Sequence, residues 1–188
     1  MSEQHSDEAL AAAAKDLPDV GREAIRAALE KRQPAIHVAA EGPLADAAPV
    51  FVTLRIDGAL RGCIGSLVAL HDNLVDEVMD RGRAAAFDDP RFPALRLEEL
   101  DRTTIEVSIL RPLQPITSHA ELDPARFGIE VKDRSGRRAV LLPEIAGVDT
   151  VEEQIRVTRQ KAGIPPGNEL EIRRFAVVKI SEQAETSS

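Results

Sequence analysis

The segment 50–65, VFVTLRIDGALRGCIG, limits the fold more than any other part of the chain. Val50, Val52, Leu54 and Ile56 alternate with Phe51, Thr53 and Arg55, the period-two pattern of a strand with one face in a core. Asp57-Gly58 follows at once, and such a dipeptide tolerates the positive φ angles of a type I′ turn, so residues 59–64 return antiparallel to the first strand. In a regular two-residue hairpin Leu54 faces Arg61 and Val52 faces Cys63, which puts both Arg61 and Cys63 on the apolar side. A guanidinium there needs a carboxylate, and Glu106, Asp88 and Asp89 are the candidates by type. The alternative is a bulge at glycine, because Gly62 and Gly65 bracket Cys63 and Ile64, a spacing that marks a bulge or a close approach of other groups.

Elsewhere the patterns mix helices with hairpins. Pro18, Val20, Ala24, Ala27 and Ala28 predict a helix up to Lys31, after a short alanine-rich run at 9–15, and 39–49 reads as loop. Asn73 can cap a helix with an apolar stripe of Leu74, Val75, Val78, Met79, Ala85 and Ala86 through Phe87, which the rigid turn Asp88-Asp89-Pro90-Arg91-Phe92-Pro93 ends. Residues 104–110 alternate as a strand with Glu106 and Ser108 on the polar side. A second hairpin joins 128–131 to 138–142, Thr150 with Glu153 starts a helix that Gly163 ends, and 170–180 is a closing strand. Without regular strand-helix alternation this is an α+β fold with antiparallel sheet. The expected extent is one domain over 8–180, with polar flexible tails at 1–7 and 181–188.

Composition narrows the function. A net charge of −8, no Trp or Tyr and five Phe argue against nucleic-acid binding. No run reaches the ~20 apolar residues of a membrane span. Cys63 is the single cysteine, so an internal disulfide or a cysteine-built zinc site is excluded and a reducing cytoplasm is the expected setting. Four scattered His, at 5, 37, 71 and 119, give no reason to expect a metal, and no residue pattern names a cofactor. Familiar catalytic signatures such as GxSxG and HExxH are missing. The candidates for chemistry are therefore Cys63 and Glu106, with Arg61, Gly62, Gly65, Ser108, Asp88, Asp89 and Arg91 as binding residues. Cys63 can equally be a buried small hydrophobe, or line a ligand without covalent chemistry.

FVTLRIDGALRGCIGSL, then AAAFDDPRFPAL, IEVSIL, RRAVLLPEIA and RQKAGIPP in that order, resemble the AMMECR domain family, whose mark is the LRGCIG hexapeptide at 60–65. The resemblance spans about residues 17–180, although Phe127 stands where relatives often carry a polar residue. It implies two antiparallel-sheet subdomains of unequal size flanked by helices, the larger from both chain ends, with a cleft near the LRGCIG strand. It implies no settled reaction. Relatives are associated with a Memo-like protein and a radical S-adenosylmethionine enzyme, in the AmmeMemoRadiSam system. Two readings stay open. In one the chain is an enzyme or enzyme partner acting on a small-molecule or peptide-like ligand, with Arg61 orienting an anionic group and Cys63 lining the site. In the other it is a non-enzymatic protein-protein interaction module with a structural Cys63. A pocket where Arg61, Cys63 and Glu106 converge would favour the first, and an exposed apolar patch the second.

Overall fold

The computed structural model describes residues 3–182. They form two compact units, one drawn from 3–109 and 178–182, the other from 110–177.

In the first unit β1 (Val50–Ile56), β2 (Ala59–Gly65) and β3 (Thr103–Leu110) lie antiparallel in the order β2-β1-β3. Asp57 and Gly58 have φ of 50° and 79°, as a type I′ turn requires, so the Asp-Gly dipeptide closes the hairpin as its chemistry dictates. Val50, Val52 and Leu54 share one buried face with Ile105, Val107 and Ile109. Against this core lie α1 (Glu3–Ala13), α2 (Leu17–Glu30), α3 (Leu74–Phe87) and the single turn α4 (Leu97–Leu100), contributing Leu10, Leu17, Ile25, Leu74, Val78 and Leu100. The side chain of Asn73 accepts the Asp76 N–H at 2.9 Å and starts α3 at the expected residue.

The tails differ from expectation where they are described. Residues 3–7 continue the alanine-rich helix α1, a sequence of high helix propensity that Leu10 and Ala14 anchor in the core. Ser181 ends the last strand. The Glu182 carboxylate then accepts the Ile105 N–H at 2.8 Å and pairs with Arg22 at 2.6 Å, so a buried-edge ion pair ties this end down. Residues 1–2 and 183–188 of the expected tails lie outside the described residues.

The second unit pairs β5 (Phe127–Lys132) with β6 (Arg138–Leu141) and with most of β7 (Glu171–Ser181), while β4 (Gln114–Pro115) joins β7 briefly. Thr150 accepts the Glu153 N–H at 3.2 Å to cap α5 (Val151–Lys161). Ile129, Val131, Leu122 and Ile164 form a small core with Val151, Ile155 and Ile172. Both units are thus antiparallel strands flanked by helices, and the fold is α+β. No helix among the described residues is long and apolar enough to cross a membrane.

Candidate functional site

The β1-β2 ladder carries a bulge that changes which residues share a face. Leu60 stands opposite Arg55 and Gly62 opposite Leu54, leaving Arg61 as the extra residue. The regular register, with Arg61 opposite Leu54 and Cys63 opposite Val52, is corrected by this observation. Its cause is the packing of α3. A Cβ at position 62 would stand 2.2 Å from the Ala85 carbonyl oxygen, so only glycine fits the core-facing place opposite Leu54, and Arg61 is displaced from it. Ile64 then pairs with Val52 towards the core, and Cys63 pairs with Thr53 on the other face.

Arg61 finds a carboxylate, but not one of the three expected. Its Nε donates to Glu99 Oε1 at 2.9 Å and its Nη2 to Oε2 at 3.2 Å, with only 12% of the side chain exposed. Nη1 has no acceptor, and the Phe92 ring lies 5.9 Å from Cζ. Arg61 first, and then the Arg96 N–H, hold the Glu99 carboxyl below its ordinary range. Glu99 occupies the third position of α4, whose N-cap is Arg96, so none of the usual Ser, Thr, Asp or Asn start signals announces this helix. Replacing Arg61 with alanine is expected to cost about 1–2 kcal/mol, because Glu99 keeps the Arg96 N–H and reaches water. Urea unfolding measures this, and a loss above about 3 kcal/mol would mean that the carboxylate is stranded.

The turn after α3 clamps the outer edge of β2. Asp89 is buried, and its Oδ2 accepts the Cys63 N–H at 2.8 Å. Arg91 donates to Asp89 through Nε at 2.9 Å and Nη2 at 2.7 Å, and Nη2 also reaches the Cys63 carbonyl at 3.2 Å. The pair supplies at Cys63 the donor and acceptor that another strand would offer, protecting an otherwise open sheet edge. Hydrogen bonds from Arg91 and from the Cys63 N–H hold the Asp89 carboxyl well below the usual carboxylate range. Asp88 is exposed, and its N–H closes α3 on the Ala84 carbonyl at 2.8 Å.

Cys63, Thr53 and Glu106 stand opposite one another on three neighbouring strands. The Thr53 hydroxyl donates to Cys63 Sγ at 3.3 Å, and Ser181 Oγ donates to Glu106 Oε2 at 3.3 Å. In the adjacent row Gly65, Phe51 and Ser108 are aligned, with Ser108 buried and the Phe51 ring occupying the space a Cβ at Gly65 would need. Strand spacing sets the Cys63 and Glu106 backbones ~10 Å apart, so they flank Thr53 without touching through the backbone. The structure therefore gathers Cys63, Glu106, Ser108 and Gly65 on one face. Gly62, Asp89 and Arg91 fix the strand that carries Cys63 and Gly65, and Arg61 is engaged by Glu99 instead of converging with Cys63 and Glu106. Sequence reasoning passed over Thr53, although it is the small polar residue at the centre of the face opposite Val52 and Leu54. Among the described residues no group of three or more His, Cys, Asp and Glu could hold a metal ion.

A family model described as AMMECR1 matches residues 18–180. The chain belongs to the AMMECR1 family. A Thermotoga maritima protein is 48% identical to this AMMECR1 chain over 132 residues, covering 69% of the chain and 75% of the relative. A Clostridium acetobutylicum protein is 35% identical over 133 residues, covering 71% of the chain but only 28% of the relative, so this AMMECR1 region spans little more than a quarter of that protein. The fold is similar to the crystal structure of an uncharacterised Pyrococcus horikoshii protein, with a TM-score of 0.78, 29% identity and coverage of 91% of this chain and 92% of that one.

Proposed function

We propose that this AMMECR1 chain is an enzyme or enzyme partner that binds a small-molecule or peptide-like ligand on the Cys63 face, in the cleft the LRGCIG resemblance implies. The observation that carries the reading is the alignment of a part-buried thiol, a hydroxyl and a part-buried carboxylate at Cys63, Thr53 and Glu106. Cys63 presents its sulfur to the ligand and Glu106 supplies the group that moves or accepts a proton, while Ser108 and Gly65 line the next row. Asp89 and Arg91 hold the Cys63 backbone from the opposite edge, the rigid support that a positioned thiol needs. Arg61 pairs with Glu99 instead of converging on Cys63 and Glu106, and this favours the second reading, a non-enzymatic protein-protein interaction module with a structural Cys63. A reducing cytoplasm suits the single thiol.

The partners in this reading are a Memo-like protein and a radical S-adenosylmethionine enzyme. The length of the Clostridium relative supports a shared task, since there the matched region is part of a chain more than three times as long. A metabolite-depletion screen, run with and without a Memo-like protein, tests the proposal. Some compound disappears with the native protein, and Cys63→Ser and Glu106→Gln each slow that loss by at least about a hundredfold while melting normally. Variants that deplete it as fast as the native chain would remove both residues from the reaction.

A further inference from the structure

The loop 66–73, between β2 and α3, holds Leu67, Val68 and Leu70 in solvent with exposures of 38%, 63% and 58%. One exposed leucine is ordinary, but three large apolar side chains exposed within four positions of one loop are not. The loop is not slack. Glu77 lies wholly buried on α3, and its Oε2 accepts the Leu70 N–H at 2.7 Å and the His71 N–H at 2.9 Å. The Ser66 hydroxyl donates to the Val68 carbonyl, and the Ser66 N–H donates to the Val50 carbonyl at 3.3 Å. A buried carboxylate thus fixes the backbone while the apolar side chains stay outside.

Charge says what kind of surface covers these side chains. From Ser66 to Asp80 the sequence has no Lys or Arg, against Asp72, Asp76, Glu77 and Asp80. Asp72 and Asp76 are exposed, immediately beyond the apolar residues. Asp80 is matched by Arg81 and His71, and Glu77 is committed to the loop, so the outward charge is carried by Asp72 and by Asp76, whose Oδ2 also accepts the Asn73 amide at 2.8 Å. Residues 1–2 and 183–188 contain no Lys or Arg and only Met1 as a large apolar side chain, so they do not supply the complementary surface. We propose that Leu67, Val68 and Leu70 form a docking ridge for a partner protein whose contact surface is apolar at its centre and rimmed with Lys or Arg. The ridge is separate in its residues from the Cys63 row, so ligand chemistry and docking fail independently.

The test uses a synthetic amphipathic helix of about 18 Leu and Lys residues, and its counterpart with Glu in place of Lys, titrated into the full chain by calorimetry. The Lys peptide binds the native chain and binds a Val68→Ser/Leu70→Ser double variant at least about tenfold more weakly. Asp72→Asn weakens it and flattens its salt dependence, and the Glu peptide gives no measurable heat. These exposed substitutions leave the melting curve and any Cys63-dependent depletion unchanged. Three results would overturn the proposal: no binding of the Lys peptide, equal binding to all variants through net charge alone, or equal binding of the Glu peptide. So would a dimer in sedimentation that the Val68→Ser/Leu70→Ser change abolishes, because the occupant would then be a second copy of this chain.

Discussion

Gly62→Ala is expected to destabilise the protein by at least about 3 kcal/mol, a large part of the ~5–15 kcal/mol that holds a domain folded. The added methyl would stand 2.2 Å from the Ala85 carbonyl oxygen and 3.2 Å from its carbon. Both are backbone atoms, and neither element can yield easily. α3 is held by Leu74, Val78, Ala85 and Ala86 in the core, and β2 by the Asp89 and Arg91 contacts at Cys63. Gly58→Ala is the control. It meets nothing within 4 Å but must keep a φ of 79°, so its cost is backbone strain alone, about 1 kcal/mol. Chemical unfolding of the two variants beside the native chain separates the effects. A Gly62→Ala loss no larger than that of Gly58→Ala would show that the α3 contact is soft, and would undo the explanation of the bulge.

The hairpin turn, the α3 cap at Asn73, the α5 cap at Thr150 and the polar face of β3 were legible because each rests on a local rule: a dipeptide, a side-chain acceptor or a period. The bulge was legible only as an alternative. Two glycines announce close approach but not what approaches, and Ala85, whose carbonyl does, lies more than twenty positions further along the chain. Glu99 was missed for a related reason, since α4 has four residues and no cap signal, and an ion pair across 38 positions leaves no periodic trace. Glu106 and Ser108 were chosen as the polar face of a strand, and they lie on the face that the bulge gives to Cys63. A one-residue shift is enough for that, because side chains alternate strictly and any slip exchanges the two faces. Local chemistry thus named the candidates Cys63, Gly65, Glu106 and Ser108, while a long-range backbone contact decided that they share a face.

Asp89→Ala is the second large loss expected, about 3 kcal/mol near neutral pH, and its pH dependence identifies the cause. The carboxylate accepts four hydrogen bonds: the N–H groups of Cys63 and Arg91, and two N–H groups of the Arg91 guanidinium. Arg91 is half-exposed and recovers water when Asp89 is removed, whereas the Cys63 N–H loses its partner at the sheet edge. Because these donors favour the charged form, the folded carboxyl titrates below its ordinary value of 3.8, which the unfolded chain retains. Between the two values the unfolded state binds more protons. The stabilisation is therefore complete above the unfolded value and fades as the pH falls from there through the folded one. Unfolding free energies of the native chain and Asp89→Ala should differ by a constant amount between about pH 7 and pH 5, and the gap should narrow by about pH 3 and below. Taking the difference between the two chains cancels the titration of every other carboxylate, including Asp133, which is also held low. A gap that persisted undiminished into strong acid would assign the role of Asp89 to shape rather than charge. Arg91→Ala, which removes the charge partner but leaves the Asp89 side chain in place, would then cost far less than Asp89→Ala.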